Sequence, residues 1–161
     1  SDIGCVIHVH SLKLWNKLEK LPGGKKAASF IIGKLVPYTG SISAEIESIS
    51  LGSSKVILRD CRKVRNHLNS IHAVALVNLG EFTTGLACLS ALPSNGRSIL
   101  KGLSIEYLKK ARGTLVAEAQ TPLIEGSFDK RDCIIVTEIK NTAGETVARL
   151  QATWQVGNTS K

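Results

Sequence analysis

The 161-residue sequence predicts an α+β fold in which an antiparallel sheet of about six strands wraps around one long buried helix. Three observations point there. The stretch from His72 to Leu92 carries Val74, Leu76, Val77, Leu79, Phe82, Leu86, Leu89 and Leu92 and is apolar nearly all round, as an interior helix must be. Near the end of the chain, Ala148, Leu150, Ala152, Trp154 and Val156 alternate with Arg149, Gln151, Thr153 and Gln155, the period of a strand buried on one face. Between these two segments, and before the first, lie further short extended runs bounded by turn residues.

Taken in order, Leu12, Leu14, Trp15, Leu18 and Leu21 recur at helical spacing with Lys13, Lys17 and Lys20 between them, and Pro22-Gly23-Gly24 ends this basic amphipathic helix. A second helix is expected over 25–35, stopping before Pro37 because a residue preceding proline is driven toward extended geometry. The two form an N-terminal cap, residues 1–37, on a core of residues 38–157. Strands are expected over 42–47, 55–59, 99–108, 114–121, 133–140 and 146–156, with a hairpin loop at 141–144. No repeat or second domain is visible, so the whole chain reads as one domain.

Composition narrows the function. The formal charge of +8 favours an anionic partner, whether nucleic acid, a membrane surface or a phosphorylated small molecule. Aromatic content of 4% and the absence of a zinc-finger or recognition-helix pattern argue against nucleic acid. The opening residues lack a basic start and a long apolar core, and stable membrane insertion is not expected. Cys5, Cys61, Cys88 and Cys133 lack Cys-x-x-Cys spacing, which fits reduced thiols and a cytoplasmic location. No Gly-x-Ser-x-Gly elbow or phosphate-binding loop occurs. His8 and His10 would share one face of a strand but have no third ligand nearby, so no metal is expected.

One residue breaks the pattern of the buried helix. Glu81 is its sole carboxylate, and burying such a group without a partner costs several kcal/mol or forces its pKa upward. The structural alternative is a glutamate satisfied by Asn78, Thr84 or a basic residue on the sheet. The preceding segment, Asn66-His67-Leu68-Asn69-Ser70-Ile71-His72, supplies polar groups where the helix must begin, with Asn69 or Ser70 as its expected N-cap. Free N–H groups at a helix start suit an oxygen acquiring negative charge, and Ala73 is the donor expected there. His72 and Glu81 are nine residues apart and so point to roughly opposite sides of one helix. A site using both the helix start and Glu81 would therefore join two subunits across a two-fold axis.

These residues resemble the motif of hotdog-fold acyl-CoA thioesterases of the phenylacetate-pathway type, in which an asparagine, a histidine, two glycines and an acidic residue lead into the central helix. Asn66, His72 and Glu81 take the matching places, while Ala73 and Val74 stand where the glycines would be. The runs 36–42 and 105–113 further resemble an uncharacterised branch of that superfamily, and the likeness spans about residues 29–157. It implies a hotdog fold and hydrolysis of acyl-CoA, with Glu81 activating water or attacking directly, Ala73 polarising the thioester carbonyl, Asn66 holding water or the carboxylate in line, and His72 shaping the helix start. Related enzymes carry a hydroxyl near the third strand, where Ser98 and Ser104 lie.

Coenzyme A, as part of the substrate rather than a cofactor, would give the basic surplus a use at Lys109, Lys110 and Arg112, or else at Arg62, Lys63 and Arg65. The expected assembly is a dimer or a dimer of dimers. The apolar cap suggests medium or long acyl groups. A non-catalytic acyl or lipid carrier, using Leu12, Trp15 and Leu18, and an enoyl-CoA hydratase are the alternative readings.

Overall fold

The computed structural model describes residues 3–126 and 129–158, with side chains from residue 11 onward. Three helices come first: α1 (Ile3–Leu18), α2 (Gly24–Leu35) and the one-turn α3 (Pro37–Gly40). Strands β1 (Glu45–Ser50) and β2 (Ser53–Leu58) lead through a single 3-10 turn (Arg62–Val64) to the long helix α4 (Ala73–Ala91). Four strands complete the chain: β3 (Gly96–Tyr107), β4 (Leu115–Gln120), β5 (Arg131–Asn141) and β6 (Thr146–Asn158).

The strands form one antiparallel sheet in the order β1-β2-β4-β5-β6-β3, curled around α4. This is the hotdog architecture expected from the sequence. The alternating face of β6 does what its pattern requires: Ala148, Leu150, Ala152 and Val156 are fully buried and Trp154 nearly so. At Gly80 the helix comes so close to the sheet that an added Cβ would lie 2.7 Å from Leu150 Cδ1. A bulkier residue there would push α4 off the layer that buries it. The helix is long and apolar enough to cross a membrane by length and composition, but it is mostly buried against this sheet.

Several elements depart from the expected bounds. Helix α1 starts at Ile3 and stops at Leu18, because Leu21 N–H bonds back to the Leu18 carbonyl and Gly23 takes a left-handed φ of 71°, turning the chain early. His8 and His10 thus fall in a helix rather than a strand, and their side chains lie outside the described ones. The Tyr38-Thr39-Gly40 turn is a short helix with proline in its first turn, where a missing N–H costs nothing. Strand β1 begins at Glu45 because a turn bonding Ser43 N–H to the Gly40 carbonyl occupies the preceding residues.

The N-terminal helices are fixed to the core. Trp15 and Ala28 are fully buried, and Ile32 packs beside them. Ser29 Oγ accepts the Ile46 N–H at 2.8 Å, tying α2 to β1. Helices α2 and α3 touch through bare backbone, since a Cβ on Gly40 would stand 2.1 Å from the Gly33 carbonyl oxygen. Gly40→Ala is accordingly expected to force these helices apart and lower stability by about 1–3 kcal/mol, as overpacking does. Urea unfolding of the two proteins measures that difference.

Candidate functional site

The start of α4 is held by a chain of specific bonds. Asp60 Oδ1 accepts from Arg65 Nε at 2.6 Å and Oδ2 from Gly113 N–H at 2.7 Å, and the guanidinium holds the Asp60 carboxyl below its usual range. Ile71 N–H donates to the Ala111 carbonyl and His72 N–H to the Val64 carbonyl, both at 2.8 Å. Asn66 Oδ1 accepts the N–H groups of Leu68 (2.9 Å) and Ser70 (3.1 Å), and Asn69 takes a left-handed φ of 59°, which asparagine tolerates.

The N-cap is His72 rather than Asn69 or Ser70. Its ring Nδ1 accepts the Val74 N–H at 3.1 Å, and its carbonyl accepts the Leu76 N–H. The reason is local: Asn69 and Ser70 belong to the turn closed by Asn66, so the helix starts after it. His72 therefore shapes the helix start, with one ring nitrogen committed to the backbone. Ala73, the first helical residue, is exposed, and among the described residues its N–H has no acceptor. An unused N–H at a helix start is a donor open to an anionic oxygen.

Ala73 and Asn66 line an open groove of about 340 Å³ with Tyr107, Lys109 and Lys110. Tyr107 Oη donates to the Ala73 carbonyl at 3.1 Å, and Arg112 reaches the Leu68 carbonyl at 3.4 Å beside the groove. Lys109 pairs with Glu145, and Lys110 has no ion-pair partner among the described residues. Four of the seven expected site residues, Asn66, Ala73, Lys109 and Lys110, thus meet in one place, with a fifth, Arg112, adjoining. With Asn66 Oδ1 consumed by the turn, the amide nitrogen is the part of this side chain left for a ligand.

Glu81 is elsewhere. It lies eight residues beyond Ala73 on α4, about 12 Å along the axis at helical rise. Together with Ile32, Val36, Thr39, Phe82 and Leu86 it lines a chamber of about 60 Å³ beneath the N-terminal helices. His72 faces a third depression, with Tyr38 and Asn78. A single chain does not bring the helix start and Glu81 together.

No described group satisfies the Glu81 carboxylate. Asn78 Nδ2 donates instead to the Tyr38 carbonyl at 3.0 Å. Thr84 Oγ1 donates to the Glu81 backbone carbonyl at 3.0 Å and accepts from Trp154 Nε1 at 3.2 Å. Asn78 and Thr84 are thus engaged elsewhere, no basic residue pairs with Glu81 among the described residues, and burial pushes its carboxyl above the ordinary glutamate range. Cys88, by contrast, is pushed up to about 12 by burial and is an inert core thiol at neutral pH. Of the two hydroxyls near β3, Ser98 lies on the core side opposite Val156, within reach of Cys88, and Ser104 is opposite Gln151 on the outer face. Among the described residues no group of three or more His, Cys, Asp or Glu could hold a metal ion.

Residues 24–156 match the model of a family described as a domain of unknown function, DUF4442. The chain belongs to the DUF4442 family. No curated protein matches it. A crystal structure named only as a genomics target is 26% identical to this DUF4442 chain, with a TM-score of 0.80 over 94% of this chain and 99% of the other. A Pseudomonas aeruginosa protein of unknown function, called a probable thioesterase, is 19% identical with a TM-score of 0.71, covering 86% of this chain and 97% of its own. A hypothetical thioesterase from Streptococcus pneumoniae, solved with coenzyme A, is 21% identical with a TM-score of 0.64, covering 80% and 99%. The fold of this DUF4442 protein is the hotdog fold of thioesterase-like proteins.

Sequence reasoning missed two features of the DUF4442 site. Tyr107 reads as a strand residue, yet it crosses to the Ala73 carbonyl from the edge of the sheet. Val36 and Thr39 read as a turn, yet they roof Glu81. The signal available for the second was the proline-anchored segment placed directly after an amphipathic helix.

Because the folded-state pKa of Glu81 is raised, protonation favours the folded chain, and this contribution is lost as pH climbs through the raised value. Glu81→Gln, neutral throughout, should therefore melt at a higher temperature than the parent at neutral pH. The gap should close on acidification toward the ordinary glutamate value of about 4.3. Thermal unfolding followed by circular dichroism across this range provides the check.

Proposed function

We propose that the chain hydrolyses acyl-CoA thioesters to free acid and coenzyme A, as a dimer in which each site joins the start of α4 in one protomer to Glu81 of the partner subunit. The observation that carries this reading is the Glu81 carboxylate, half-buried and unpaired among the described residues, on the helix whose first N–H is also unused. A carboxylate raised toward neutral pH is a better base than a surface one, and it can accept a proton from water during attack on a carbonyl.

In the general-base route, Glu81 takes a proton from water while the hydroxide adds to the thioester carbon. The carbonyl oxygen gains the charge and accepts the Ala73 N–H. Collapse of this adduct breaks the C–S bond, and the thiolate of coenzyme A leaves and is reprotonated by the Glu81 acid or by solvent. In the alternative, Glu81 adds directly to the carbonyl, the C–S bond breaks with departure of the coenzyme A thiolate, which takes a proton from solvent, and water then cleaves the resulting anhydride to the free acid and the Glu81 carboxylate. Both routes use the same two groups. In this reading the Asn66 amide orients the water, and Lys109 and Lys110, which line the same groove as Ala73, meet the phosphate charges. The S. pneumoniae structure with coenzyme A supports a ligand of this class on this fold.

A second protomer is supported by what one chain leaves uncovered. Strand β3 is 12 residues long and lies at the sheet edge, with β6 as its one partner in the sheet. A long edge strand is a standing template for pairing with another chain. On its core side Leu103 and Tyr107 are exposed, and Val74 in the first turn of α4 is 50% exposed. A two-fold axis along β3 would cover all three and carry Glu81 toward the partner's helix start.

Free-thiol release from acyl-CoA esters tests the proposal, with Glu81→Gln expected to lower kcat by about 10²–10⁴-fold. In the parent, kcat should rise with pH along a limb that lies above the ordinary glutamate range, since ionised Glu81 is the active form. Ala73→Pro removes the N–H while keeping the helix, because proline is tolerated at the first position and His72 already has a ψ of 138°. It should cost about 10²–10³-fold in kcat. Co-expressing the two variants should restore about a quarter of parental turnover, as random pairing makes half the dimers mixed with one intact site each. Binding of acyl-CoA with no thiol release would instead mark a carrier.

A further inference from the structure

The chamber at Glu81 is not the end of the space available to an acyl group. At about 60 Å³ it admits only about four to six water-sized groups. Thr39 and Phe82 form part of its wall, and both also line a far larger cavity of about 660 Å³ between α2, α3 and β1. Only these two residues are common to both walls, so an acyl chain longer than the chamber would have to displace Phe82 to reach that cavity.

The chemistry changes across this wall. The chamber is lined mainly by Ile32, Val36, Leu86, Leu89 and Trp154. The cavity beyond it presents Lys26, Lys34 and Lys63. Its one carboxylate, Glu45, is already held by Arg59 Nε at 2.9 Å and titrates below the ordinary range for that reason. Lys63 bonds only a neutral hydroxyl, Ser43 Oγ at 3.1 Å, and Lys34 sits 5.5 Å from the Phe30 ring centroid. Among the described residues neither of these two ammonium groups is paired with a carboxylate. A plain hydrocarbon tail would meet apolar wall at Phe30, Pro37 and Phe82 but would strip water from the lysines beside them. A tail ending in an oxyanion would be held by them.

We infer that the preferred acyl group is short and carries a carboxylate at its far end, an ω-carboxyacyl chain whose methylenes fill the Glu81 chamber and whose terminus reaches Lys34 and Lys63. This rests on the acyl-CoA reading and departs from the medium or long fatty chain that the apolar cap suggests from sequence. Adipyl-CoA, with four methylenes between its carbonyl and its carboxylate, matches the chamber. Hexanoyl-CoA is its uncharged counterpart.

The test is a binding measurement, so that it stands apart from catalysis. Titration calorimetry on Glu81→Gln should give a Kd for adipyl-CoA about tenfold below that for hexanoyl-CoA, the effect of one favourable charge contact. Adding Lys34→Gln and Lys63→Gln to the same protein should erase the difference. Equal affinity in the parent background, or tighter binding of hexanoyl-CoA, overturns the inference. So does an equal weakening of both ligands by the lysine changes, which would make these lysines nucleotide contacts. Thiol release by the unmutated chain is scored separately, and its absence would remove the hydrolase reading while leaving the binding comparison decisive for the acyl group.

Discussion

A carboxyl group at position 81 is enclosed by α4 and the three N-terminal helices, with no cation or N–H among the described residues to share its charge. Much of the architecture can be understood as maintaining that state. The sheet closes around α4 and removes water from one side of the helix. Helices α2 and α3, crossing at Gly33 and Gly40, remove it from the side where Glu81 emerges. Trp15 and Ile32 bind these helices to the core, so the roof over the carboxyl belongs to the same hydrophobic cluster as the start of α4. Destabilising one charge at this position is tolerated because the surrounding burial is extensive, and under the proposed function the result is a base whose pKa is raised by burial.

The opposite end of α4 follows a different logic. There the polar groups are almost all committed: Asn66 to its turn, Asp60 to Arg65 and Gly113, and His72 to the second helical N–H. What remains for a ligand includes the Asn66 amide nitrogen and the backbone donor at Ala73, the latter held by bonds on either side of it. Rigidity of this kind is what lets an amide stabilise charge without reorganising at the moment of reaction. Glycine is not needed at that position for the donor itself, since an alanine N–H points the same way, which accounts for a helix start that keeps the geometry without the glycine pair.

How far the fold could be read from sequence depended on whether one chain's periodicity carried the information. The alternation along β6 and the apolar run of α4 did, because both bury their residues within the same chain. Glu81 was legible for the converse reason: an acid in a run of apolar residues has no cheap structural explanation. The N-cap was misplaced because Asn69 and Ser70 have cap-forming side chains, while the turn that consumes them is closed by Asn66 four residues earlier and cannot be seen from local preference. Tyr107 and the roof of Val36 and Thr39 were invisible because they depend on contacts across 34 residues and more. Chamber size and the lysines beyond Phe82 are likewise products of packing three elements together, which no spacing rule encodes.

The central claim is that Glu81 is a half-buried carboxyl left unpaired among the described residues, and its own titration tests this most directly. Carbon-13 labelling of glutamate side chains, with Glu81→Gln used to assign the resonance, would follow the carboxyl shift of this one residue through acid to neutral pH. The account predicts a midpoint above those of the exposed glutamates of the same chain. A midpoint among or below theirs would mean that the group is solvated or paired, and the chemistry assigned to it would fall.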